Sequence, residues 1–312
     1  MPKVLKWILL FSGAALLAVM VLVAAAFPFL AVNDPSGAKT VVVEGWIPPE
    51  FLPKVKAEID RRGYERVYTT GTTRNLSYTL RMHDTISVVL RNPEKGRLIV
   101  SACGSDGSGF RVIADNDTVL ERIVTPTCKD YSASLRTPVE RLALLPTYSM
   151  AGEPDWEMLF TLYVELNGTN VHELQRSTTI LRASGTRENG LPTFADAAAD
   201  QLRKAGLEAS KVTPLPTTGV GASRTWANAR RFGQQARSDG LKQVDVISLG
   251  IHARRSRAMY RKACGPDVEV GIISLDDPEM KRGTWWMEPL GWLKVMKELA
   301  GVPAGYLVEE GP

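Results

Sequence analysis

The 312-residue chain predicts an α/β protein in which a parallel sheet is interrupted by an all-β sandwich and preceded by one transmembrane helix. Three observations carry this. The run from Trp7 to Val32 holds no charged residue, and about 20 apolar residues suffice to cross the ~30 Å hydrocarbon layer as a helix. Beyond it, short β-branched runs ending in glycine alternate with amphipathic stretches, the rhythm of parallel strands joined by helical crossovers. Between about Tyr78 and Ile180 that rhythm stops, leaving only strand-like runs divided by turn formers.

Lys3 and Lys6 precede the apolar run and Asn33-Asp34 follow it. Positive charge on the leading side predicts an N-inside orientation, placing the rest of the chain outside the cytoplasm, in the periplasm, on an inner-membrane anchor. A cleaved signal peptide is the rival reading. Its apolar region runs about 7 to 15 residues and ends in a small-x-small site, so the longer run here favours an uncleaved anchor. Composition is that of a folded globule, with 44% hydrophobic and 23% charged residues. A net charge of +4 without a basic stripe studded by aromatics argues against nucleic acid as a partner.

Taken in order, 7–32 is the anchor and "NDPSGAK" a linker. "TVVVEGW" is a strand, "PPEFLPKVKAEIDRRGY" a helix closed by Gly63, and "RVYTTG" a second strand. Six or seven short strands follow, among them "TISVVLR", "RLIVSAC", "FRVIAD", "VERLALL" and "LFTLYVEL", at the spacing of a sandwich. A helix from Thr193 to Gly206 reopens the α/β pattern, which continues through "KVTPLP", "RTWANARRFGQQARSDGL", "QVDVISLG", "HARRSRAMYRKACG" and "VEVGIISL". The expected boundaries are 38–77 with 181–312 for the α/β domain and 78–180 for the insert. Cys103 and Cys128 fit either a disulfide outside the cytoplasm or, with Cys264, three buried thiols.

In an open parallel sheet, ligands bind at the carboxyl ends of the strands. The unusual clusters of this chain lie there: Glu44-Gly45-Trp46, Thr70-Gly71, and His252 with its following arginines. Cations in a helix first turn oppose the helix dipole by about 0.3 to 1 kcal/mol each. Arg254 and Arg255 therefore invite an anion such as phosphate or carboxylate, with His252 as acid or base; Arg257 and Arg261 suit a solvated helix face. Thr225 and Asn228, three apart on one helix face, can position a hydroxyl or phosphate oxygen, though capping by Ser223 or Thr225 explains the hydroxyls equally. Glu44 suits a general base or, as plainly, a structural partner of Arg254 or Arg255. Asp196 is a lesser acidic candidate.

Together, "VVVEGW", "YTTG", "RTWANA" and "SLGIHARRSR" resemble the DUF218 family, also called YdcF-like, with its SanA and ElyC envelope members. The likeness covers about 40–75 and 190–275. It departs from the family pattern at Thr72, where a second glycine is usual, and at the acidic site residue, which is Asp196 or absent. The resemblance implies a Rossmann-like fold, a strand-end cleft formed by Gly45, Thr70, Gly71, Thr225, Asn228, His252, Arg254 and Arg255, and a role in envelope polysaccharide or lipid-carrier metabolism. It implies no established cofactor for the α/β domain.

Within the insert, "FTLYVELNGTNV" behind the acidic loop "GEPDWE" resembles the closing strand of calcium-dependent xylan-binding carbohydrate modules. That resemblance implies a jelly-roll-like sandwich, a possible Ca²⁺ held by Glu153, Asp155 and Glu157, and sugar stacking on Trp156 or Tyr148. Pro146-Thr147 replaces the Asn-Asp pair usual in such modules; solvated acids and a core Trp are the plainer alternative. Near the C-terminus, "TWWMEPLGWLKVMKELAG" suits a helix packed on the sheet rather than one lying at the bilayer interface. Two functional expectations follow: a membrane-anchored envelope protein acting on or binding an anionic glycan or sugar-phosphate, lipid-linked intermediate, or a non-catalytic glycan-binding scaffold.

Overall fold

The computed structural model describes residues 3–148, 159–219, 223–277 and 279–307. In chain order the elements begin with α1 (Lys3–Leu30), β1 (Thr40–Glu44), α2 (Leu52–Arg62) and β2 (Arg66–Thr72). A run of strands follows: β3 (Thr79–Leu80), β4 (Thr85–Cys103), β5 (Gly109–Ala114), β6 (Asp117–Ile123), β7 (Lys129–Tyr148), β8 (Leu159–Leu166) and β9 (Thr169–Asn170). After the short α3 (Val171–Leu174) come β10 (Gln175–Leu181), β11 (Arg187–Asn189) and α4 (Phe194–Lys204). The remainder is β12 (Val212–Thr217), α5 (Arg224–Ser238), β13 (Gln243–Leu249), α6 (Ala253–Cys264), β14 (Glu269–Leu275) and α7 (Pro289–Leu307). Two compact units result, Met1–Gly71 with Ala198–Pro312 and, between them, Thr72–Ala197.

The first unit is built on a five-stranded sheet in the order β12-β2-β1-β13-β14, with β1, β2, β13 and β14 paired in parallel. Both faces are covered, which is why its central strands read as continuous apolar runs rather than alternating ones. Val41, Val43, Val67 and Ile247 pack against α2 and Ala198, Ala199 and Leu202 of α4. Val42, Tyr68, Val244 and Val246 face α5 and α6 on the other side. Gly63 closes α2 in the left-handed conformation at φ 66°, as its position after the last helical turn predicts. At the amino end of β13, Asp245 is fully buried and accepts hydrogen bonds from Ser36 N at 2.7 Å and Tyr64 Oη at 2.6 Å. That contact pins the linker to the sheet; burial and the Asp245 charge push the Tyr64 phenol up.

In α1, Leu10–Leu30 is long and apolar enough to cross a membrane and lies near the N-terminus, as an anchor or a signal sequence would. Its last turns are packed: Ala26, Phe27 and Leu30 share a cluster with Ile251, Met280, Trp285, Val295 and Val302. The Trp-rich C-terminal segment therefore does form a packed helix, but against α1, α6 and the turn before α6 instead of on the sheet. The reason is supply: α5 and α6 already cover that face of the sheet, while α1 offers an apolar side.

The second unit is all-β apart from the short α3 and the start of α4, as expected of the insert. Its strands form one curled antiparallel sheet of nine strands, ordered β11-β10-β4-β7-β5-β6, with β8 joining β3, β4 and β9. "TISVVLR" and "RLIVSAC" are not separate strands: they are the two halves of β4, which pairs with both halves of β7. The turn signals Asn92-Pro93 and Thr137-Pro138 produce a shared bend, marked by a register shift between Val89 and Glu94, and not a reversal of the chain. The curl encloses a single core that includes Leu98, Phe110, Leu159 and Ile180. Cys103 and Cys128 are joined as a disulfide and Cys264 is free and buried.

Candidate functional site

At the carboxyl end of β13, Gly250 adopts φ 46° and starts a single 3-10 turn that ends at His252, directly before α6. His252 occupies the N-cap position without capping with its side chain, which leaves the imidazole to other contacts. Nδ1 lies 3.2 Å from Glu298 Oε1 and 2.9 Å from Arg255 Nη2. Arg255 in turn grips Glu298 with a fork, Nε to Oε2 at 2.8 Å and Nη2 to Oε1 at 3.0 Å. A neutral imidazole accepts from Arg255 through Nδ1 and a protonated one donates to Glu298, so the clasp accommodates both charge states. Burial alone would push the Glu298 carboxyl up; hydrogen bonds from His252 and Arg255, with their charges, outweigh it and hold the group at about 2.

Gly301, one turn beyond Glu298, makes room for the clasp, because a Cβ there would come within 2.8 Å of Arg255 Cδ. The anion that two arginines in the first turn of α6 invite is thus present within the chain. It is Glu298 on α7. Arg254 leaves the cluster altogether: it donates from Nε to the Phe29 carbonyl and stacks 4.0 Å from that ring's centre. There it caps the carboxyl end of α1, where cations are favoured.

Residues from both halves of the sequence meet at α6, though not as the one shared cleft expected of them. The Trp46 ring meets the His252 ring edge-on at 4.9 Å. Glu44, only 1% exposed, accepts from Ser256 Oγ at 2.9 and 3.0 Å, rather than pairing with either arginine. Ser256 is also 3.5 Å from Ser248 Oγ, and Thr70 Oγ1 lies 2.7 Å from Tyr260 Oη. Gly45 donates its amide to the Thr70 carbonyl at 2.6 Å, and Gly71 is buried beside it. Glu44, Thr70, Ser256 and Tyr260 are thereby a buried polar seam locking β1 and β2 to α6. Burial and the nearby Glu44 charge raise the Tyr260 phenol.

Along α5, Ser223 caps through its hydroxyl to Trp226 N at 3.4 Å, leaving Thr225 half-buried and free of that duty. Asn228 is buried with its Oδ1 unpaired among the described residues. Between the carboxyl end of the edge strand β12 and α5 opens a cavity of about 530 Å³, lined by Thr217, Ser223, Trp226, Arg230, Arg231 and Gln234 among others. Its volume suits a small polar ligand. Among the described residues neither arginine forms an ion pair, and there the buried Thr217 Oγ1 also has no partner. β12 and β13 are three strand spacings apart in the sheet, so cavity and His252 are separated by about 14 Å along the sheet.

Asp196 forms a reciprocal cap with Thr193: its carboxylate accepts from Thr193 Oγ1 at 2.6 Å, and its amide donates back at 3.1 Å. Glu153, Asp155, Trp156 and Glu157 lie outside the described residues, as does the Tyr148 side chain, whose backbone pairs with Gly109. Among the described residues no group of three or more His, Cys, Asp or Glu is placed to hold a metal.

Sequence reading missed Glu298, Arg230 and Arg231. Glu298 lay in a segment read for its tryptophans, and nothing local distinguishes it from a solvated acid. The two arginines sat inside the motif-bearing helix, both about two turns past its Ser223 cap, and their adjacency to a strand end was the available signal.

No protein-family model matches the chain, and no curated protein does. Among solved structures, a family 43 arabinoxylan arabinofuranohydrolase from Bacillus subtilis is 16% identical over 30% of this chain and 20% of its own, with a TM-score of 0.23. The PA14 sugar-binding domain of an RTX adhesin is 13% identical over 44% of this chain and 81% of its own, TM-score 0.19. A family two carbohydrate esterase from Clostridium thermocellum is 8% identical over 72% and 95%, TM-score 0.22. All three are carbohydrate-binding or carbohydrate-active proteins by description. The chain spans only a fifth of the hydrolase, and superpositions this slight carry no argument about fold or activity.

Proposed function

We propose that this chain is a membrane-anchored cell-envelope protein of the DUF218 type. Its Rossmann-like α/β unit binds an anionic glycan or a sugar-phosphate, lipid-linked intermediate, and its β-rich unit, a jelly-roll-like relative of xylan-binding modules, binds glycan. The observation that carries the reading is the cavity at the carboxyl end of β12, where Arg230 and Arg231 stand beside the Ser223 and Thr217 hydroxyls. Two guanidinium groups with hydroxyl donors are the chemistry that phosphate and carboxylate sugars require. Arg255 is engaged with Glu298 and Arg254 with the end of α1, so the anion-binding role passes to the α5 pair. His252, partly exposed and edged by Trp46, is the group able to move a proton. Placement outside the cytoplasm accords with the Cys103–Cys128 disulfide.

The test is titration of the full chain in detergent with inorganic phosphate, a hexose phosphate and the matching neutral hexose, read by calorimetry. Binding of the phosphates but not the hexose, weakened at least tenfold in Arg230→Ala/Arg231→Ala, is expected. Equal binding by the double variant sinks the assignment. A second reading, a binding scaffold without catalysis, is favoured by one specific observation: Glu44 is sealed beneath α6 and Glu298 is held by Arg255, so neither offers a free carboxylate to assist the imidazole. Complementation of a deletion strain separates the two, since His252→Ala fails to rescue under catalysis and rescues under the scaffold reading.

A further inference from the structure

The outward side of α7 is unusually apolar for a surface. Leu290 is 67% exposed, Leu293 65%, Met296 51%, and just before the helix Met287 is 63% and Trp286 41%. Leu290, Leu293 and Met296 follow helical spacing along α7 and form one stripe, while Trp286 and Met287 belong to the short turn before it, set off by the extended Glu288. The opposite side of α7 is committed: Val295 and Val302 pack on Ala26, Phe27 and Leu30 of α1, with Leu22 and Val23 against the same cluster.

That packing fixes where the stripe must lie once α1 crosses a bilayer, and the inference rests on that reading. The apolar span Leu10–Leu30 is 21 residues, about 31 Å of helix, which is the full hydrocarbon thickness. Sliding the span toward the N-terminus does not free its end, since about 20 residues counted from Trp7 still reach Ala26. The part of α1 gripped by α7 is therefore the part inside the far leaflet. Leu17, Met20 and Val21, further back, are 58%, 53% and 56% exposed, as a lipid-facing helix would be.

We infer that α7 is seated in the bilayer interface, its Leu290–Met296 stripe in the headgroup–acyl boundary of the leaflet in which α1 ends. A helix with one apolar side, tryptophan at its start, and Lys281, Arg282 and Lys297 exposed around it has the features of an interfacial helix. Glu298 is on the inner side of this same helix, so the Arg255–His252 clasp stands within about one helix diameter, ~10 Å, of the membrane surface.

The experiment uses the full chain in phosphatidylcholine nanodiscs carrying single environment-sensitive labels at Leu293→Cys, Met296→Cys, Leu17→Cys and, as a solvent control, Lys204→Cys; the buried Cys264 does not compete. Shallow and deep nitroxide lipids quench from within the bilayer, and iodide quenches from water. The labels at 293 and 296 are expected to be quenched at least threefold more by the shallow nitroxide than the label at 204, while the label at 17 responds to the deep one. Equal iodide access at 293, 296 and 204 overturns the inference while leaving the anchor intact. Protection at 293 from both quenchers overturns it too, and shows a second copy covering the stripe. A label at 17 that ignores the deep nitroxide removes the anchor reading, and the inference with it.

Discussion

Glu298 gathers most of the predictable chemistry of single residues in the first unit. Its carboxyl sits near 2 in the fold against an ordinary 4.5, so the folded state holds the charged form. The stabilisation is complete above about 4.5 and drains away as pH falls toward 2. Glu298→Gln is expected to cost about 1 to 3 kcal/mol at pH 7, because it strands the Arg255 guanidinium. The variant also loses that acid limb, which thermal unfolding by circular dichroism between pH 2 and 7 will register. Gly301→Ala acts on the same clasp by pushing Arg255 aside, and a smaller loss of the same kind is expected.

His172 in the second unit has the opposite need. Its Nδ1 donates to the Arg74 carbonyl at 2.9 Å, leaving Nε2 buried and without a partner among the described residues, and burial brings the ring down to about 4 from 6.5. The neutral form is the folded one. Stability is therefore full above about 6.5 and is lost as pH falls toward 4, by roughly 3 kcal/mol in all. His172→Phe should flatten urea unfolding free energies across that window; an unchanged slope would contradict the assignment.

Among elements, α5 and α6 approach each other closely. A Cβ on Gly233 would sit 2.3 Å from the Ala263 carbonyl, so Gly233→Ala must move one helix away from the other, with an expected loss of about 1 to 3 kcal/mol. Since α5 carries Arg230 and Arg231 and α6 carries His252's neighbours, this variant should also weaken phosphate binding. In the second unit, the disulfide joins the end of β4 to the residue before β7 and so brackets the β5–β6 hairpin, closing 25 residues. Cys103→Ala/Cys128→Ala is expected to lower that unit's stability by about 3 kcal/mol through the larger entropy of its unfolded chain. The Cys264 thiol, buried and pushed up to about 12, should resist alkylation until the first unit unfolds.

At the scale of the whole molecule, the chain has separate cores: one for the curled sheet, two on the faces of the parallel sheet, and one joining α1 to α7. Two calorimetric transitions are expected rather than one, and only the one belonging to Thr72–Ala197 should move when reductant is added. A single transition that shifts as a whole would mean the units unfold together.

Local pattern by itself determined the apolar helix, the glycine-closed α2, the parallel sheet and the strand ends that hold Glu44, Thr70 and His252, because period, branching and turn residues act over a few neighbours. It did not determine that "TISVVLR" and "RLIVSAC" continue as one bent strand, since a Pro-bearing irregularity reads alike as a turn or as a bulge in a paired strand. Nor did it reveal that Glu298, 46 positions from His252, supplies the anion, or that Ser256 takes the Glu44 carboxylate, read either as a general base or as a partner of the arginines. Which charges meet is decided by the packing of whole helices, and only the tertiary structure brings α7 across to α6.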